Sequence, residues 1–197
     1  MIEIALFFEK LNFNWSFIEV LAVLFSIAYV LLAARQNILC WTFAAISVIL
    51  YIYICITAKL FPESILQIFY LIMAIYGYYN WKKPVKININ IWSVRKHFLI
   101  MLLGAILTFL MGFYFSTYTS SKMPIIDSFT TIFSIIATYM VTNKVLENWL
   151  YWIVVDIVSI YLYFSRDLQL TSLLFLVYTV IAIFGYFSWS KKINLNG

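Results

Sequence analysis

A chain of 197 residues in which 65% are hydrophobic, 20% aromatic and only 11% charged lacks the polar surface that a soluble domain of 23.2 kDa needs. The net charge of +5 reports membrane topology before it reports any nucleic-acid partner. Seven spanning helices of about 20 residues each would use most of the chain, leaving no room for an ATP-hydrolysing or other extramembrane catalytic domain.

In chain order, residues 1–16 come first. They mix Glu3, Glu9 and Lys10 with Ile2, Leu6, Phe7, Phe8 and Leu11, which predicts a short segment lying in the membrane interface. Acids stand where the basic region of a cleaved signal would be. Apolar runs then predict helices over about 17–34, 38–57, 64–81, 98–116, 125–141, 148–164 and 170–189, all long enough to cross. Polar clusters separate them: Arg35-Gln36-Asn37, the Pro62 region, a basic stretch from Lys82 to His97, Ser116 to Pro124, Thr142 to Glu147 and Arg166-Asp167. With seven crossings, Lys10, Lys59, Lys122 and Arg166 fall on one side. Arg35, Lys82, Lys83, Lys86, Arg95, Lys96, Lys144, Lys191 and Lys192 fall on the other. The excess of bases predicts an N-terminus outside and a C-terminus in the cytoplasm.

The chain matches itself at an offset of 108 residues. Trp41 falls on Trp149, Phe25-Ser26-Ile27 on Phe133-Ser134-Ile135, Ser64 on Ser172, Tyr70 on Tyr178, Gly77-Tyr78 on Gly185-Tyr186 and Trp81 on Trp189; Glu19 coincides with Asp127. The predicted fold is an all-α integral membrane protein with seven transmembrane helices in a parallel 3+1+3 repeat, the SWEET-like arrangement in which a substrate site lies between the repeats. Its parts are the interfacial segment 1–16, a first three-helix repeat over 17–83, a basic loop and linker helix over 84–124, a second repeat over 125–191 and a tail over 192–197.

Asp156 stands at the midpoint of the sixth predicted span, where a carboxylate costs about 2.5–3.5 kcal/mol on insertion scales and marks a functional position. Trp149, Trp152, Asp156, Ser159 and Tyr163 follow spacings of 3 and 4 and share one helix face. Gln67 and Tyr70 in the third span, Ser134 and Thr138 with Thr130 and Thr131 in the fifth, and Tyr178 with Thr171 and Thr179 in the seventh supply further polar positions. Together they predict a cavity for a flat, cationic or polar heteroaromatic ligand, with tryptophan faces for the ring and a carboxylate for the charge. The bland reading is that Asp156 and the hydroxyls hold helices together and that Gly77 and Gly185 permit close packing.

His97 lies in the basic flank, has no partner for a metal site or a triad, and reads as a solvated residue. Cys40 and Cys55 share the second span, about 22 Å apart along the helix, and cannot bridge. No phosphate-binding loop, metal-ligand spacing or catalytic constellation is present, so neither an enzyme activity nor a cofactor nor a metal is expected.

The stretch Glu147-Asn148-Trp149-Leu150-Tyr151-Trp152-Ile153-Val154-Val155-Asp156 resembles the W-x-x-W-x-x-x-(N or D) signature of bacterial nicotinamide riboside transporters of the PnuC type. Asp127-Ser128, the Lys144 loop, Gln67-Ile68-Phe69-Tyr70 and Gly185-Tyr186-Phe187-Ser188-Trp189 are similar to that family as well. The resemblance implies a uniporter for a B-type vitamin in the bacterial inner membrane, working by facilitated diffusion and linked to a cytoplasmic kinase that traps the substrate. It places Trp149, Trp152 and Asp156 in the motif and makes Gln67 and Tyr70 contacts from the first repeat. Nicotinamide riboside is the expected substrate. Thiamine, carried by relatives, stays open because the last motif position here is Asp, not Asn. A SWEET-like sugar carrier and a membrane scaffold are the more distant readings, and a homo-oligomer is compatible with the sequence.

Overall fold

A computed structural model describes residues 16–57, 61–83, 89–119 and 121–194; the interfacial segment expected over 1–16 therefore lies almost wholly outside the described residues. The described chain is all helical: α1 Phe17–Ala34, α2 Cys40–Thr57, α3 Phe61–Trp81, α4 Val94–Tyr118, α5 Pro124–Thr142, α6 Asn148–Phe164 and α7 Gln169–Asn194. Five of them, α1, α2, α4, α5 and α7, are long and apolar enough to cross a membrane. Helix α6 is apolar but has 17 residues.

Local chemistry sets the ends. Helix α1 begins at a capping box, with Glu19 N–H donating to Ser16 Oγ (3.2 Å) and Ser16 N–H donating to Glu19 Oε2 (2.6 Å). Helix α5 starts at Pro124, whose fixed φ suits the first turn and whose missing N–H is not needed there. Helix α4 begins four residues before the expected 98 because Ser93 caps it, accepting from Lys96 N–H at 3.4 Å. Helix α7 runs five residues past the expected 189, carrying Lys191 and Lys192 in its last turn, where cations suit the helix dipole. The α1–α2 and α5–α6 turns each carry a non-glycine residue in the left-handed region, Gln36 (φ 58°) and Lys144 (φ 49°).

Six helices close a ring in the order α1, α2, α3, α5, α6, α7, with α7 returning to α1, and α4 packs along α5 outside it. Its close approach has a cause in sequence: a Cβ added at Gly104 would lie 2.9 Å from Phe133, and one at Gly112 would lie 2.4 Å from Ile125. Thr108 is buried between them on the same stripe. The outward face of α4 is apolar and exposed, as at Leu103, Ile106, Phe109 and Phe113, a surface that suits lipid rather than water.

The core lies at the end of the ring that carries the α1–α2 and α5–α6 turns, hereafter the basic end. Small residues (Ala33, Ala34, Ala44, Ala74, Ala182) and four tryptophans (Trp41, Trp81, Trp149, Trp189) fill it. Both close glycine approaches expected at Gly77 and Gly185 are present: Gly77 lies against the Trp41 ring and Gly185 against the Trp149 ring, where added Cβ atoms would come within 2.5 Å and 2.7 Å.

Candidate functional site

Within the ring the helices enclose a cavity of about 380 Å³, a size that suits a small organic ligand. Each ring helix contributes to its wall. Helix α6 gives Trp149, Trp152, Asp156 and Tyr163, α3 gives Gln67 and Tyr70, α5 gives Ser134 and Thr138, and α7 gives Thr171, Phe175 and Tyr178. Eight of the nine residues read from sequence as substrate contacts are thus brought together on one wall system. Ser159 is buried at 2% exposure but is not among the lining residues.

Helices α1 and α2 add lining residues that the sequence reading did not single out: Ser26, Tyr29, Trp41, Ser47 and Tyr51 among them. The signal was present for two, since Ser26 and Trp41 are the 108-residue counterparts of Ser134 and Trp149. Tyr29 and Tyr51 face Ala137 and Ser159 under the same offset, so no matched residue pointed to them.

Asp156 is 2% exposed and is the one charged residue among the described lining residues. Among the described residues it accepts no hydrogen bond and has no basic partner, so nothing within the protein compensates a carboxylate there. Hydroxyls approach one another elsewhere on the cavity wall. Ser26 and Tyr178 are hydrogen-bonded across α1 and α7, with Tyr51 within reach of Ser26. Tyr70 reaches Ser134 across α3 and α5. Thr138 Oγ1 donates to the Ser134 carbonyl at 2.7 Å, which leaves it tied to its own helix. Aromatic rings complete the wall, with Tyr163 and Phe175 stacked at 5.2 Å and 10° and Phe175 edge-on to Tyr178 at 5.8 Å.

Toward the basic end the cavity stops at tryptophans. Trp41 meets Trp81 edge-on at 5.3 Å, Trp149 meets Trp189 edge-on at 5.5 Å, and Trp81 and Trp189 approach to 6.1 Å. Trp81 Nε1 donates to the carbonyls of Val141 and Thr142 (3.3 and 3.1 Å), and Trp189 Nε1 donates to the Ala33 carbonyl (3.1 Å). Lys144 Nζ lies 4.7 Å from the centre of the Trp81 ring. Burial pushes the Lys144 ammonium below the ordinary lysine range, and nearby Lys192 pushes the same way.

His97 corrects the reading from sequence. It is not a solvated residue: Nδ1 is 3.0 Å from the Tyr151 hydroxyl, Nε2 is 3.8 Å from Glu147 Oε1, and both side chains of the His97–Glu147 pair are 15% exposed. Its partners come from α6 and the turn before it, fifty and fifty-four residues away, which a linear reading does not bring together. At the other end of the ring, Asp127 on α5 holds Arg166 after α6 through both carboxylate oxygens (2.8 and 2.7 Å). Cys40 and Cys55 are free and buried. No group of three or more candidate metal ligands occurs among the described residues.

An aromatic-walled cavity with a single acid, held inside a ring of apolar helices, is the arrangement of a membrane carrier for a small organic molecule. Comparison with known proteins makes the class specific. A family model described as nicotinamide mononucleotide transporter matches residues 16–191, and the chain belongs to that family. It is 24% identical over 215 residues to the nicotinamide riboside transporter PnuC of Escherichia coli, covering 94% of this chain and 90% of that one. It is 25% identical over 195 residues to the protein of that name from Neisseria mucosa, covering 91% and 74%. A riboflavin/roseoflavin transporter, RibM of Streptomyces davaonensis, is 24% identical over 59% of this chain and 58% of its own length. A crystal structure of the vitamin B3 transporter PnuC has the same fold, with a TM-score of 0.76, 24% identity and coverage of 95% of this chain and 86% of that one.

Proposed function

We propose that this protein carries nicotinamide riboside across the bacterial inner membrane by facilitated diffusion, with the cavity around Asp156 as its binding site. The observation that carries the reading is the charge of the wall: one acid and no base among the described lining residues. A phosphate group in this cavity would find no cation and would face Asp156, so the riboside is favoured over the mononucleotide of the family's description. The pyridinium of the riboside supplies the counter-charge that Asp156 lacks, and its ring stacks on Trp152 or Trp149. Gln67, Tyr70, Ser134, Thr138 and Tyr178 then offer polar atoms to the ribose and carboxamide. Ser159, buried behind the wall, supports the helix and has no direct contact. Thiamine is the second reading, favoured by the acid at position 156, because it too is an aromatic cation.

The architecture belongs to the same proposal: seven spans, two parallel three-helix repeats (17–83 and 125–191) and a linker helix between them. Supporting it, Trp81 and Trp189 donate to Val141 and Ala33, and both members of each pair are 108 positions apart. Two of the three left-handed turn residues among the described residues, Gln36 and Lys144, obey the same offset. The basic end is assigned to the cytoplasm because it carries most of the bases, and the trapping step is assigned to a kinase there.

Calorimetry on the purified protein tests the site. Nicotinamide riboside is expected to bind and its mononucleotide to bind at least about tenfold more weakly, since a desolvated charge without a partner costs 2–5 kcal/mol. Asp156→Asn is expected to weaken riboside binding by about tenfold or more on the same grounds, and Ser159→Ala by less than about threefold. Equal effects of the two substitutions, or tighter binding of the mononucleotide, would overturn the assignment.

A further inference from the structure

We propose that Ala44, on α2 and outside the α6 motif, forms the face of the substrate site opposite Trp152: its small side chain leaves the slot into which the ligand's aromatic ring fits. This rests on the reading of the cavity as a carrier site for an aromatic cation.

Helices α2 and α6 stand opposite one another in the ring, and their Cα atoms nowhere come within 8 Å, so the cavity is what separates them. Both start at the basic end and run away from it, and their inward faces correspond at the 108-residue offset. Trp41, Ala44, Val48 and Tyr51 of α2 fall on Trp149, Trp152, Asp156 and Ser159 of α6. All of these except Ser159 line the cavity. Counted from the level of Trp41 and Trp149, helix rise places Ala44 and Trp152 about 4.5 Å further in, and Val48 and Asp156 about 10 Å further in.

Ala44 faces the cavity and not the lipid. At 100° per residue, Trp41, Val48 and Tyr51 stand within about 60° of it, whereas the exposed Ile46, Ile49 and Tyr53 stand about 140–180° away round the helix. Of the four alanines that line the cavity it retains the most surface, 7% against 1–3% for Ala33, Ala74 and Ala182. The two faces differ in bulk in a complementary way. Where α6 carries the large Trp152, α2 carries a methyl group, and where α2 carries Tyr51, α6 carries Ser159. An α2 that copied α6 would bring a second indole to the level of Trp152 and fill the slot from both sides. Val48, at the level of Asp156, keeps the acid on one side only. Recognition is thereby divided between the helices: α6 supplies the stacking face and the charge, and α2 supplies the clearance.

Calorimetry with nicotinamide riboside on the full-length protein tests the assignment. Ala44→Val is expected to lower affinity by roughly tenfold and Ala44→Leu by more, because each added group occupies ring space in a close-fitting slot. Trp152→Ala is expected to lower it by about tenfold through loss of the stacking face. The double variant Ala44→Trp with Trp152→Ala moves the indole from α6 to α2 and reopens the slot from the other side. It is expected to bind the riboside more tightly than either single variant, a non-additivity that separate packing roles would not produce. The assignment is overturned by an Ala44→Val protein that binds within about twofold of wild type. It is also overturned by a double variant that binds no more tightly than Ala44→Trp or, where that single variant does not fold, no more tightly than Trp152→Ala. A wild-type protein that does not bind the riboside overturns the carrier reading and the role of Ala44 with it.

Discussion

At Gly185 and Gly77 a single missing methyl sets the position of a cavity wall. The Trp149 and Trp41 rings occupy the space where a Cβ would stand, at 2.7 Å and 2.5 Å. Gly185→Ala therefore has to push the indole toward the ligand space, because Trp189 closes the side toward the basic end. Overpacking of this kind costs about 1–3 kcal/mol, and the variant is expected to melt at a lower temperature than wild type and to bind the riboside more weakly. Unchanged melting and affinity would mean that the ring is free to move. Much of the cavity lining is readable one residue at a time. A carboxylate at mid-span is costly, and helical spacing placed Trp149, Trp152 and Asp156 on one face, where the structure has them. Ser159 stands on the same stripe, about 20° from Trp152 at 100° per residue, yet it is buried without lining the cavity, which helical spacing does not distinguish. His97 was misread because its neighbours Tyr151 and Glu147 are supplied by the tertiary fold.

At the scale of elements, α4 is the helix that packs outside the ring, and its attachment rests on small residues. An added Cβ at Gly112 would meet not only the Ile125 side chain but also Ile125 Cα at 3.1 Å, and backbone yields less readily than a side chain. Gly112→Val is expected to destabilise the protein by about 1–3 kcal/mol, seen as a lower melting temperature in detergent, while riboside affinity stays within about twofold of wild type. A large loss of affinity without loss of stability would place α4 in the binding machinery. The helix bounds were legible wherever apolar runs end at polar clusters, as for α1 and α6. They were missed where a cap or a basic turn extends the helix beyond the apolar run, as at Ser93 for α4 and at Lys191 and Lys192 for α7. The Gly104, Thr108 and Gly112 stripe was also in the sequence, at intervals of four, but its partner face on α5 was not.

At the scale of the molecule, a closed ring of helices places one uncompensated acid among aromatic walls, with the way to the basic end blocked by four tryptophans in two layers. In the proposed orientation that blockage faces the cytoplasm, so release of the vitamin there requires Trp81 and Trp189 to part and their bonds to Val141, Thr142 and Ala33 to break. Composition announced the membrane, in which five of the described helices are long and apolar enough to cross. That the Ser26 and Tyr178 hydroxyls pair across a seam follows only from how the helices come together. The central claim is that this cavity moves an aromatic cation down its own gradient. Uptake of labelled nicotinamide riboside into proteoliposomes of the purified protein tests it most directly. The account predicts saturable uptake that stops at equilibrium, is abolished or strongly reduced by Asp156→Asn, and is not matched by the mononucleotide. The absence of saturable riboside uptake, or uptake undiminished by that substitution, would contradict it.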